Sequence, residues 1–181
     1  MRTLLVLFCL IGCAGASTPD PPATPPSTRE DPMVTLTVTS PAFEAGKPIP
    51  TRFTCEGANV SPALQWTGLP AGAKSIAVIV DDPDAPVGTW NHWVLWNVPP
   101  TATGLEEGSH EGVSGTSDFK RPGYGGPCPP KGHGAHRYFF KVFALDTTLD
   151  LPVATRRKAL ETAMKGHVSG KGELMGTYSR G

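Results

Sequence analysis

From Met33 to Thr39 the apolar residues Val34, Leu36 and Val38 alternate with threonines, the two-residue period of a strand with one buried face. Ser75 to Val80 is instead a continuous run of Ile, Ala and Val ending at Asp81-Asp82-Pro83, which predicts a strand covered on both faces and stopped by proline. Trp93 to Val98, before Pro99-Pro100, predicts another. Arg137 to Leu145 sets Tyr138, Phe140, Val142 and Ala144 on one face against Phe139, Lys141, Phe143 and Leu145 on the other, the pattern of a central strand. A helical period occurs near the end, where Leu160, Ala163 and Met164 fall at i, i+3 and i+4. Thr155 is placed to cap that helix and Gly166 to end it. His167 to Ser169 and Leu174 to Tyr178 then close the chain as strand or loop. No internal repeat is visible.

Composition sharpens this picture. The chain has 181 residues, with 21 Gly and 20 Pro, a content that favours strands joined by turns over helices, whose interiors tolerate neither residue well. The fold class is therefore mainly β, in one domain. Lys plus Arg and Asp plus Glu both number 16, and no basic run is present, which argues against nucleic acid and against direct binding to an anionic membrane surface.

The first 32 residues are a separate matter. Arg2 followed by the apolar run Leu4 to Ile11 has the layout of a secretory signal and is too short to span a bilayer. Leu10-Ile11-Gly12-Cys13 resembles the lipobox at which bacterial lipoproteins are cut and acylated, so residues 1–16 are expected to be a signal with Cys13 as the lipidation site. Ala14 after the Cys resembles outer-membrane rather than inner-membrane sorting. The alternative is cleavage after Ala14-Gly15-Ala16, which would release a soluble periplasmic or secreted protein. Residues 17–32 hold Pro, Thr, Ser and acidic residues with no large apolar side chain, the composition of an extended tether. The globular domain is expected over 33–181.

Two loops carry candidate chemistry. Asp82-Pro83-Asp84-Ala85-Pro86 and the following Trp90-Asn91-His92-Trp93 place two carboxylates and a His between two buried strands, where a sheet can fix polar groups outside its core. Asp before Pro also serves simply to cap turns, so this loop alone leaves both uses open. Gly123 to Tyr138 is rich in Gly and Pro, and His136 and Tyr138 add side-chain donors at its end. Glycines let several backbone N–H groups approach an anion. No P-loop pattern accompanies them.

Taken together and in this order, the DPDAP stretch from Asp82, the W-x-H-W-V-x-x-N-x-P stretch from Trp90 to Pro99 and the G-Y-G-G-P-C-P-P…H-R-Y stretch closely resemble the motifs of the phosphatidylethanolamine-binding family, which includes the Raf kinase inhibitor proteins. Phe53 to Gly57, Asn59 to Trp66 and Gly166 to Val168 look like its bacterial YbhB/YbcL branch. The resemblance runs from Met33 to the C-terminus. It implies a β-sandwich of antiparallel strands with a few short peripheral helices, and a small pocket for phosphate, phosphorylethanolamine, acetate or a similar anion. Carried over residue by residue, it makes Asp82, His92, His136 and Tyr138 the polar groups of that pocket and Pro86, Trp90 and Pro129 its walls. Asp84 joins them as a further candidate ligand group. It also suggests a cis bond at Ala85-Pro86. The C-terminal helix of the eukaryotic members has no counterpart after Tyr178, so inhibition of Raf does not carry over.

With Cys9 in the signal and Cys13 committed to lipid, Cys55 and Cys128 are left as a pair in an oxidising compartment. They form either a disulfide or two buried thiols. His133 and His136 are three apart, but the glycines and prolines around them exclude the helix that would turn this into metal-ligand spacing. No metal and no cofactor is assigned. Three functions compete. The first is a binding module for a small anion or phospholipid headgroup, with an unknown protein partner and a regulatory, kinase-inhibitor-like or envelope role. The second is an enzyme using Asp82, Asp84, His92 and His136 as acid and base, although no nucleophile is paired with a base. The third is an interaction domain with a vestigial pocket.

Overall fold

Every residue from Ser75 to Asp82 is buried, as a strand without alternation requires when it is covered on both faces. The computed structural model describes residues 33–181. The expected export signal over 1–16, the lipidation site expected at Cys13 and the tether expected over 17–32 lie outside the described residues. The strands are β1 (Val34–Thr35), β2 (Thr37–Thr39), β3 (Leu64–Thr67), β4 (Ser75–Asp82), β5 (Trp90–Val98), β6 (Gly104–Leu105), β7 (Val113–Ser114), β8 (His136–Leu145) and β9 (Val168–Tyr178). The helical elements are α1 (Arg157–Met164) and a single 3-10 turn at Thr51–Phe53.

Six strands form one sheet in the order β1-β9-β8-β4-β5-β7, and three form a second in the order β2-β3-β6. Pairing is antiparallel except between β1 and β9, which run parallel. The alternating segment expected as one strand from Met33 to Thr39 is divided at Leu36, so that it begins in the large sheet and continues in the small one. Leu36 donates its N–H to the Lys171 carbonyl at the change-over.

The main core lies between the sheets, where Val38, Leu64, Trp66 and Leu105 from the small sheet meet Ile76, Val78, Trp93, Leu95, Phe140 and Val142 from the large one. On the other face of the large sheet Ala77, Ile79, Val94, Trp96 and Leu145 pack under Leu160 and Met164 of α1. Buried Asp81 ties that helix down, meeting Lys141 at 2.9 Å and Arg157 at 3.2 Å. Thr155 does not cap α1. The cap position is Arg156, with no side-chain bond, while Thr155 is buried and its carbonyl accepts from the Thr116 N–H. Gly166 does end the helix, with φ of 83°.

No cis bond occurs among the described residues, so the expectation at Ala85-Pro86 is corrected. The loop reverses by other means. Asp82 Oδ1 accepts from the Asp84 N–H at 2.8 Å, and Gly88, with φ of 92°, donates back to the Ala85 carbonyl. Cys55 and Cys128 form a disulfide that spans 73 residues and ties the loop after the 3-10 turn to the loop before β8.

Candidate functional site

The two-residue period that builds the core also builds the site. On β4 the row Ile76, Val78 and Val80 faces the core, and its next member is Asp82. On β8 the row Ala144, Val142, Phe140 and Tyr138 ends in His136. Val80 pairs with Phe140 and Asp81 with Phe139, so both rows change from apolar to polar at the same end of the core. There His136 Nδ1 meets Asp82 Oδ2 at 2.7 Å, with only 3% of the His and 4% of the Asp side chain exposed.

His92 reaches the same place through a β-bulge. Val80 pairs with Trp93 but Asp81 pairs with Asn91, leaving His92 as the extra residue; such bulges re-aim a side chain. The His92 ring stands edge-on to Tyr138, with centroids 5.2 Å apart, and edge-on to Phe119 at 5.3 Å. Its Nδ1 donates to the Gly125 carbonyl at 2.6 Å, which turns Nε2 into the nitrogen left for a ligand. Burial lowers the His92 pKa, against the opposing pull of the Gly125 carbonyl and the Asp82 charge. The free ring is therefore neutral at neutral pH, and its Nε2 is a lone-pair acceptor.

Tyr138 is fully buried, and its hydroxyl meets no hydrogen-bond partner among the described residues. Burial, and after it the nearby Asp82 charge, raises its pKa far above the ordinary phenol value. The hydroxyl is thus a permanent donor, with the Asp82 carboxylate nearby but no acceptor within hydrogen-bond distance among the described residues.

The other expected residues are placed less centrally. Asp84 is half-buried and committed to Arg137, which bonds it through its backbone N–H at 2.9 Å, Nε at 2.9 Å and Nη2 at 2.7 Å. That guanidinium brings the Asp84 pKa down to about 2. Trp90 is half-buried and packs edge-on against Phe119 at 5.6 Å, one ring removed from His92. Pro129 is buried in the loop before β8, whereas Pro86 is exposed.

Two residues of the cluster escaped the sequence reading. Phe119 is held against β5 by two bonds of its neighbour, in which Asn91 N–H donates to the Asp118 carboxylate oxygen Oδ2 at 2.7 Å and Asp118 N–H to the Asn91 carbonyl at 3.0 Å. Its only signal was an aromatic in a polar stretch. His133 meets His136 at 2.8 Å, Nδ1 to Nε2; its signal was a three-residue spacing, considered above only for metals. Among the described residues no group of three His, Cys, Asp or Glu is placed to hold a metal ion. A hollow of about 580 Å³ opens beside Lys141, Phe143 and Lys171, on the opposite face of β8 from Tyr138. Its Lys141 is already paired with Asp81, so the chemistry locates the candidate site at the buried cluster.

Comparison with known proteins identifies the family. The family model described as phosphatidylethanolamine-binding protein matches residues 39–179. A UPF0098 protein of Methanothermobacter thermautotrophicus is 51% identical over 148 residues, 77% of this chain and 96% of its own length. LppC of Mycobacterium tuberculosis, named as a candidate lipoprotein, is 38% identical over 186 aligned positions, 97% of this chain and 92% of its own length. Among solved structures, E. coli YbcL, described as a member of the mammalian PEBP family, superposes with a TM-score of 0.76 at 34% identity, over 81% of this chain and 99% of its own. A candidate PEBP homologue from Chlamydia trachomatis gives 0.77 at 38% identity with the same coverage.

The depressed His92 pKa sets a sign for stability. The unfolded chain takes up a proton at His92 below about pH 6.5, while the folded protein resists until lower pH, so stability is full above that value and declines beneath it. The stability advantage of the wild type over His92→Asn, from urea unfolding, should shrink on going from about pH 7.5 to about pH 5.5, by up to about 1.4 kcal/mol per pH unit. A difference that stays constant across that range would contradict the assignment.

Proposed function

The chain belongs to the phosphatidylethanolamine-binding protein family, and from that premise we propose that it is an envelope binding module whose Asp82–His92–His136–Tyr138 cluster accepts a small anion, phosphate or a phosphorylated headgroup such as phosphorylethanolamine. The family fold supports a binding-type function in general. The observation that carries the finer reading is the Tyr138 hydroxyl, a buried donor with no acceptor within hydrogen-bond distance among the described residues. Leaving such a group unpaired costs about 1–3 kcal/mol, a cost that an oxyanion would relieve.

The neighbouring groups suit the same ligand. The bond to Asp82 occupies His136 Nδ1, so the nitrogen on which this ring can meet an oxyanion is Nε2. His92, neutral in the free protein, donates from Nε2 once it takes up a proton, so anion binding should strengthen on acidification. Against an enzyme, Asp84 is held ionised in its bonds to Arg137, which removes one of the two carboxylates that acid–base catalysis would draw on.

We further propose that the domain is carried on a lipid anchor at Cys13. The support is the sequence Leu10-Ile11-Gly12-Cys13 together with the match to LppC over nearly the whole chain. Two fatty chains would bury enough methylenes for stable anchoring. The mass of the mature N-terminus tests this: a diacylglyceryl Cys13 is expected, and a chain starting at Ser17 would refute it.

Calorimetric titration of the purified protein with phosphate and with phosphorylethanolamine tests the pocket. Saturable binding is expected. Tyr138→Phe should keep or raise stability, because it deletes an unpaired group, yet weaken binding about ten- to hundredfold, the range for a hydrogen bond to a charged partner. Absence of binding by the wild type, or full affinity in Tyr138→Phe, would remove the assignment.

A further inference from the structure

His136 has two ring nitrogens, and both are taken. Nδ1 is bonded to Asp82 Oδ2 at 2.7 Å and Nε2 to His133 Nδ1 at 2.8 Å. A hydrogen bond between two imidazole nitrogens carries a single proton, held by one ring or the other. In either arrangement His136 Nε2 has nothing left for a third partner while His133 is docked.

The two rings differ sharply in surroundings. His136 is 2% exposed, whereas His133, edge-on to it with centroids 5.1 Å apart, is an exposed residue. His133 thus stands between the buried donor and solvent. Its backbone is built to move without disturbing the core. Gly132 and Gly134 flank it at φ of 71° and 87°, and neither has any atom within 4 Å of the position a Cβ would take. The local restraints are two long backbone bonds, His133 N–H to the Pro130 carbonyl at 3.2 Å and Gly132 N–H to the Arg180 carbonyl at 3.3 Å. Regular pairing resumes only at His136.

We propose that His133 is an internal plug of the pocket: its imidazole occupies the bonding position on His136 Nε2 that an oxygen of a phosphate or phosphorylated headgroup must take, and it swings out on Gly132 and Gly134 when that anion enters. The plug rests on the reading of the cluster as an anion site, and it adds a self-ligand that competes with the true one. It keeps the Asp82–His136 pair satisfied and shielded when no anion is bound, and it sets a threshold of affinity below which ligands stay out.

The test is titration of purified wild type, His133→Ala and the double variant His133→Ala/Tyr138→Phe with inorganic phosphate and, in a parallel arm, phosphorylethanolamine. The tighter of the two probes identifies the source of the phosphate group. His133→Ala should bind about three- to tenfold tighter than wild type, the gain from deleting one competing hydrogen bond. The double variant should bind more weakly than His133→Ala, which locates the gain in the pocket. Equal or weaker binding by His133→Ala would overturn the plug while leaving the anion site in place. No binding by any of the three proteins would overturn both.

Discussion

A carboxylate withdrawn from water must be paired, and Asp82, at the last position of a fully buried strand, is paired with His136 at the first position of β8. Breaking such a pair by removing one partner costs about 3–5 kcal/mol, so the bond constrains where two neighbouring strands begin and end. It also fixes the character of the core's end. The apolar rows of β4 and β8 stop at Val80 and Tyr138, and beyond them stand the polar side chains of Asp82 and His136. Asp81, one residue earlier, points to the opposite face and is neutralised by Lys141 and Arg157. Two adjacent buried carboxylates are tolerated because each has its own cation or imidazole on its own side of the sheet.

The loops around the pair are held by longer-range ties. Cys55–Cys128 links the Gly- and Pro-rich segment to the loop after the 3-10 turn, and on the chain-entropy model a loop of that length contributes roughly 4 kcal/mol. Asn59 Oδ1 accepts from the Gly126 N–H at 2.7 Å, beside a position where a Cβ would strike the Phe53 carbonyl at 2.3 Å. Arg180, near the C-terminus, reaches Glu56 at 3.1 Å and the Pro129 carbonyl at 3.5 Å. These ties hold the segment up to Pro129 and leave the glycine turn around His133 as its adaptable part. A preorganised cluster with one movable member is suited to binding, where rigid donors lower the ordering cost of the complex.

Much of this was legible in the sequence. Periodicity located β4, β5, β8 and α1 to within a few residues, and the order of three motifs identified the family and with it the sandwich. The failures have physical causes. β9 is continuous over Val168–Tyr178, but its Gly170, Gly172 and Gly176 left the closing segments open between strand and loop. Here glycine serves close approach: a Cβ at Gly172 would meet the Leu36 carbonyl at 2.3 Å, and one at Gly176 would strike Ile49 and Phe43. The bulge that aims His92 leaves no mark in composition, because it arises from the register of β4 against β5. Thr155 has the chemistry of a cap, but tertiary packing uses its backbone instead. His133 was invisible as a partner of His136 because the turn joining them is set by left-handed glycines rather than by helical spacing.

The account stands or falls on whether the buried imidazoles are the groups that meet the anion. Long-range proton–nitrogen NMR of the histidine rings, recorded while phosphorylethanolamine is added, observes them directly. In the free protein His92 should be neutral with its proton on Nδ1. At saturation the Nε2 signals of His92 and His136 should both move, that of His92 towards imidazolium values. Histidine signals that stay fixed while the ligand saturates would place binding elsewhere and contradict the account.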